Sequence, residues 1–142
     1  MKTRRTKLAA MLALLTVLVY IFVFNPGILE SEIVKNSHFP AGTLISWAGL
    51  FLYTLLMFRL IRSDGASMLS KRMKQILLVN TILAACWGFI ARVLAGNWLF
   101  SFQNSDFNFR LWIGITVLIL ILPVVIFLLL GIQRLWLMLG KR

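Results

Sequence analysis

Apolar residues in this chain collect into four long runs, and nearly all of the charged residues lie between or beyond them. The runs cover residues 8–24, 41–58, 76–96 and 111–131. A helix of about 20 apolar residues crosses the roughly 30 Å hydrocarbon core of a bilayer. Inside lipid, a single spanning segment must be helical, because a helix pairs its own backbone N–H and C=O groups. The pattern therefore predicts four transmembrane helices in an all-α integral membrane protein.

The segments that connect the runs are short and cover residues 25–40, 59–75 and 97–110. Short connections make successive helices antiparallel neighbours. We therefore expect residues 1–142 to form a single membrane domain, an antiparallel four-transmembrane-helix bundle. After residue 131 the chain either continues the last helix beyond the bilayer or bends along the membrane surface, and the sequence leaves both open.

Basic residues are distributed unevenly among these segments. Twelve of the fifteen Lys and Arg residues lie at the N-terminus, in segment 59–75 and at the C-terminus, whereas segments 25–40 and 97–110 are nearly neutral. Cytoplasmic segments of membrane proteins carry such an excess. We predict that both termini and 59–75 are cytoplasmic (N-in/C-in), in a bacterial inner membrane. Each basic residue there gains about 1 kcal/mol near anionic lipids.

Composition excludes several classes of function. The chain is 61% hydrophobic, above the roughly half that is usual in soluble domains. Its net charge of +11 is split among the ends of the apolar runs, whereas nucleic-acid binding needs a continuous basic surface. The single cysteine, Cys86, and the single histidine, His38, have no companions for a disulfide, a metal site or a catalytic triad. We expect no nucleic-acid partner, metal or cofactor.

Small and polar residues mark candidate helix contacts, because they let helices approach closely within lipid. Two stripes have helical spacing: Gly42, Ser46, Gly49 and Tyr53 in the second run, and Asn80, Ala84, Ala91 and Ala95 in the third. We predict that these stripes face each other. Tyr53 and Asn80 come at similar depth, so we also predict a hydrogen bond between them.

Two further residues interrupt the apolar pattern. Arg92 is the only charged residue within a run, and it lies about 6 Å inside the outer boundary at 1.5 Å per residue. Its guanidinium either extends to a lipid phosphate or to Asp106, or binds an anion or a partner. Pro123 is predicted to kink the fourth helix.

The outer segment 97–110 is rich in aromatic residues. Such residues favour the membrane interface, so this segment either lies in that interface or forms a docking surface. The candidate functional or partner contacts are therefore Tyr53, Asn80, Arg92, Phe100, Phe102, Phe107 and Phe109.

These observations favour a non-catalytic membrane protein that binds another membrane protein, as an accessory, assembly or immunity-type subunit. The alternative is self-association into a homo-oligomeric channel or small transporter, which would prefer anions because of Arg92. No acidic residue lies within a run, which argues against proton- or sodium-coupled transport. An enzyme is disfavoured because acid–base catalysis needs a positioned titratable group.

Overall fold

The computed structural model describes residues 2–33, 39–61, 68–102 and 105–139. These residues form α-helices and the connections between them, and the only β-structure among them is an isolated bridge between Glu32 and Pro40. Four of the helices are long and apolar enough to cross a membrane. The prediction of an all-α chain with four candidate membrane helices is confirmed. His38 and residues 62–67, which belong to the segment predicted to be cytoplasmic, lie outside the described residues.

The helices differ in extent from the apolar runs. They are α1 (Lys2–Phe24), α2 (Pro26–Glu30), α3 (Ala41–Leu60), α4 (Met68–Ala95) and α5 (Asp106–Leu139). The short α2 was not predicted, although Pro26 is suited to a first helical position, where no N–H donor is needed. After α2, the amide of Ala41 donates to the carbonyl of Ser31 at 2.8 Å and brings the chain back to α3.

The last helix begins earlier and ends later than its apolar run. It begins at Asp106 because the hydroxyl of Ser105 accepts a hydrogen bond from the amide of Asn108 at 3.2 Å, which is N-cap geometry. The carboxylate of Asp106 in the first turn also suits the positive end of the helix dipole. At the other end, residues 132–139 continue α5 as one helix. Pro123 lies within this helix, and a kink there stays a prediction.

Helices α3, α4 and α5 all pack against one another. Ile61 at the end of α3 clusters with Leu77 early in α4, whereas Trp47 early in α3 lies on Gly88 late in α4. Helix α4 meets α5 in the same way: the later a residue comes in α4, the earlier its partner comes in α5. These pairs are Asn80 with Ile119, Trp87 with Thr116, and Leu94 with Asn108.

Helix α1 is placed differently from the other three long helices. Within the part of the chain that the structure describes, it packs on α3 and on the short α2, and makes no helix contact with α4 or α5. An apolar groove lies between α1 and α3, lined by Leu15, Leu18 and Phe22 from α1 and by Ile45 from α3. The long α1 is therefore attached along one side only.

The predicted contact between the two small-residue stripes is wrong for α3. Gly42 faces Leu29 of α2, and a Cβ atom at Gly42 would stand 2.9 Å from the Leu29 carbonyl oxygen. Gly49 faces Leu18 of α1. The small residues of α3 thus allow α2 and α1 to approach. Helix α4 instead meets the adjacent stripe of α3, which includes Trp47, Leu50 and Thr54.

We expect Gly88→Ala to destabilise the protein by about 1–3 kcal/mol, the usual cost of overpacking. A Cβ atom at Gly88 would overlap the ring of Trp47. That ring is held by a hydrogen bond of 3.0 Å from its Nε1 to the Ala85 carbonyl. The free energy of unfolding in mixed detergent micelles measures the effect.

The matched control is Gly131→Ala in α5. A Cβ atom at Gly131 meets nothing within 4 Å, and alanine is favoured over glycine in a helix by up to about 1 kcal/mol. Equal stability of the Gly88→Ala and Gly131→Ala proteins would contradict the packing described here.

Candidate functional site

Pro123 creates an unsatisfied backbone group in the interior of α5. In an α-helix each N–H donates to the carbonyl four residues earlier. Proline has no N–H, so the Ile119 carbonyl loses its donor within the helix. Both Ile119 and Pro123 are less than 2% exposed, and lipid supplies no replacement donor. The Ile119 oxygen therefore needs a donor from a neighbouring helix.

Asn80 of α4 supplies that donor. Its Nδ2 donates to the Ile119 carbonyl oxygen at 3.1 Å, and Asn80 itself is only 2% exposed. Tyr53 of α3 donates from its hydroxyl to the next carbonyl, that of Leu120, at 2.9 Å. Polar side chains from two helices thus meet consecutive carbonyls of a third. We call Tyr53, Asn80, Ile119, Leu120 and Pro123 the proline site.

The predicted hydrogen bond between Tyr53 and Asn80 is wrong. Both side chains use their donors on α5 instead, and for Asn80 the reason is the Ile119 carbonyl that Pro123 leaves without a donor. Sequence reasoning interpreted Pro123 only as a source of a kink. The carbonyl four residues before a proline was the signal that it missed.

The orientation of the Asn80 amide follows from its partner. A backbone carbonyl only accepts hydrogen bonds, so the NH₂ group faces Ile119. Oδ1 then points elsewhere, and among the described residues it has no hydrogen-bond partner although it is buried. An unsatisfied buried acceptor costs about 1–3 kcal/mol.

Two threonines near the proline site are satisfied differently. Thr81 donates to the Leu77 carbonyl of its own helix at 2.8 Å, and Thr54 donates to the Phe51 carbonyl at 2.9 Å. Such local bonds are typical of threonine within a helix. The hydroxyl of Thr81 is also 3.5 Å from the Thr54 carbonyl. These side chains therefore line the contact between α3 and α4 without reaching the proline site.

Most of the phenylalanines of segment 97–110 form a cluster with two tryptophans. The rings of Phe102 and Phe109 lie 5.2 Å and 6.1 Å from the ring of Trp112, and the ring of Phe100 packs edge-on against Trp87 at 5.4 Å. Trp87 also donates to the hydroxyl of Thr116 at 2.8 Å. The aromatic cluster comprises Trp87, Phe100, Phe102, Phe109 and Trp112.

The backbone at Phe100 has a φ of 53°, which is rare for a bulky residue. Packing of its ring between Trp87 and Trp112 offsets this strain. Phe107, the remaining candidate of this segment, is 72% exposed. The structure thus separates Phe107, on the surface, from Phe100, Phe102 and Phe109, whose rings contact other aromatic rings of the chain.

Arg92 lies apart from both the proline site and the aromatic cluster. Its Cζ is 5.5 Å from the centre of the Trp98 ring, a cation–π arrangement. Within the described residues it forms no ion pair, so the contact with Asp106 that was one of its predicted roles is not present. The candidate residues therefore fall into four places: the proline site, the aromatic cluster, the exposed Phe107 and Arg92.

Comparisons of the chain with protein-family models, with curated proteins and with solved structures found no match.

We expect Asn80→Leu, which conserves side-chain size, to cost about 1–2 kcal/mol in the protein with Pro123, because the Ile119 carbonyl loses its donor. In a Pro123→Ala background the restored amide can satisfy that carbonyl within α5. The same substitution should then cost about 1 kcal/mol less. Unfolding in mixed detergent micelles, measured for all four proteins, gives this coupling energy.

Thr81→Val serves as the control, since Thr81 bonds within α4. Its cost should be the same with either residue at position 123. An Asn80→Leu cost that is also independent of position 123 would show that Asn80 does not compensate for the proline.

Proposed function

We propose that this protein is a non-catalytic membrane protein that binds a transmembrane helix of another membrane protein, as an accessory, assembly or immunity-type subunit. The attachment of α1 along one side carries the proposal. Within the described chain this helix contacts only α2 and α3, which leaves its opposite face open to a partner.

The open face of α1 has the composition of a helix contact. Ala9, Ala13, Thr16 and Tyr20 follow at intervals of four, three and four, and all four are exposed. Small residues at this spacing allow two backbones to approach closely, which is the main source of helix association in lipid. The hydroxyl of Thr16 donates to the Leu12 carbonyl at 2.9 Å, so Thr16 requires no polar group from a partner.

We further propose that α1, α3, α4 and α5 form an antiparallel bundle in a bacterial inner membrane with both termini in the cytoplasm. The positions of the basic residues support this arrangement. Arg59 ends α3, Lys71 lies in the first turns of α4, and Lys7 lies in the first turns of α1. Anionic lipids of the cytoplasmic leaflet attract cations at such positions.

The orientation can be tested with single cysteines after Cys86→Ala removes the native thiol. Thr6→Cys and Met138→Cys are expected to react with a membrane-impermeant maleimide only after the cells are opened, and Ser31→Cys in intact spheroplasts. All three positions are exposed. The reverse labelling pattern would disprove the N-in/C-in arrangement.

Partner binding can be tested by affinity capture from native membranes in a mild detergent. A defined partner should be recovered with the unaltered protein, and Ala13→Leu should lower its yield about tenfold, because a larger side chain separates the two backbones. Ala48→Leu, an equally exposed position on α3, is the matched control. Recovery of further copies of this chain alone would instead favour the homo-oligomeric channel or transporter.

The surface of the outer segment can be separated from α1 in the same assay. Phe107→Ser tests an exposed ring, whereas Phe102→Ser also disturbs the aromatic cluster. Loss of capture with Phe107→Ser and not with Ala13→Leu would move the contact from α1 to the outer segment.

A further inference from the structure

Arg92 retains most of its hydrogen-bonding capacity. A guanidinium carries five N–H donors, yet within the described residues Arg92 makes neither a hydrogen bond nor an ion pair. Its guanidinium lies instead over the face of the Trp98 ring. A cation beside a hydrocarbon layer is usually paired with an opposite charge. For Arg92 that charge has to come from outside the described chain.

Trp98 forms a fixed platform beside this cation. The Thr43 hydroxyl donates to the Trp98 carbonyl oxygen at 3.1 Å, which ties its backbone to α3. The ring of Phe39 meets the Trp98 ring edge-on at 4.9 Å. The indole N–H of Trp98 has no acceptor among the residues that the structure describes. Trp98, which contacts the guanidinium of Arg92, therefore carries an unused hydrogen-bond donor of its own.

The depth and surroundings of Arg92 point to a lipid. It lies in the last turn of α4, three residues before Ala95, or about 4.5 Å along the axis at 1.5 Å per residue. An arginine side chain spans that distance and reaches the headgroup layer. Next to it on α4, Phe89 is 61% exposed and Val93 is 79% exposed. A polar donor group and an exposed apolar surface thus lie beside each other on α4.

We propose that Arg92 and Trp98 bind the phosphate group of a phospholipid, with an acyl chain of the same lipid on Phe89 and Val93. Planar guanidinium donors match two phosphate oxygens at once. A soluble phosphate ion offers the same oxygens but gains nothing from the apolar surface. The inference is independent of the proposed function, because it concerns α4 and not α1.

A simpler role for Arg92 makes a different prediction. A cation in the last turn of a helix is stabilised by the helix dipole, and for that purpose lysine serves as well as arginine. Two-point recognition of phosphate requires the guanidinium. Arg92→Lys therefore distinguishes the two roles while conserving the charge.

The test uses the full-length purified protein in a sugar-based detergent without phosphate, and native mass spectrometry to measure phosphatidylglycerol binding. Arg92→Gln should weaken this binding about tenfold, and Arg92→Lys and Trp98→Phe each about threefold, as expected for lost charge-assisted hydrogen bonds. The matched control is Arg110→Gln, which removes an exposed cation from the first turns of α5 and should leave the affinity unchanged.

Two further ligands identify the source of the phosphate. Diacylglycerol with the same acyl chains lacks a phosphate group and should bind the unaltered and Arg92→Gln proteins equally. Inorganic phosphate at millimolar concentration should not displace phosphatidylglycerol, and displacement would overturn the lipid assignment. Equal losses from Arg92→Gln and Arg110→Gln, or full binding by both Arg92→Lys and Trp98→Phe, would overturn the site. Circular dichroism of each variant verifies that the helices are retained.

Discussion

The carbonyl oxygen of Ile119 is the group that most constrains how α4 packs against α5. Pro123 removes its donor within α5, and a bilayer offers no water to replace it. Asn80 supplies a donor from α4, while Tyr53 binds the next carbonyl from α3. Each bond favours one depth and one rotation of its helix relative to α5. Two consecutive carbonyls of α5 thereby couple the positions of three helices.

The hydrogen bonds of the described residues also distinguish α1 from the other long helices. Each of α3, α4 and α5 takes part in a hydrogen bond to another long helix, whereas the Thr16 hydroxyl of α1 bonds to Leu12 of its own helix. The groove between α1 and α3 is lined mainly by apolar side chains, so van der Waals packing contributes to their attachment. In lipid this packing has little hydrophobic driving force behind it. Of the four long helices, α1 thus has the least to lose by accepting a second neighbour.

The sequence predicts those features that depend on the solvent and misses those that depend on a particular neighbour. Four apolar runs have to be helical in lipid whatever they pack against, so the number of long helices was predictable. Small residues such as Gly42 and Gly49 indicate that another helix approaches closely, but not which one, and the assignment to α4 failed for that reason. Tyr53 and Asn80 have similar depths, yet their acceptors are backbone atoms that no side-chain pattern displays. Only counting the donor missing at Pro123 would have located one of them.

The two ends of the helices carry their positive charge in different forms. At the end that holds Lys7, Arg59 and Lys71 the charge is spread over several flexible side chains, which suits attraction to a whole anionic leaflet. At the other end Arg92 is held over Trp98, and Trp98 is in turn tied to α3. Positive charge that is spread over several side chains can distinguish one side of a membrane from the other, because attraction to an anionic leaflet depends on the total charge. A guanidinium fixed in direction can distinguish one ligand from another, since its donors match only certain acceptors.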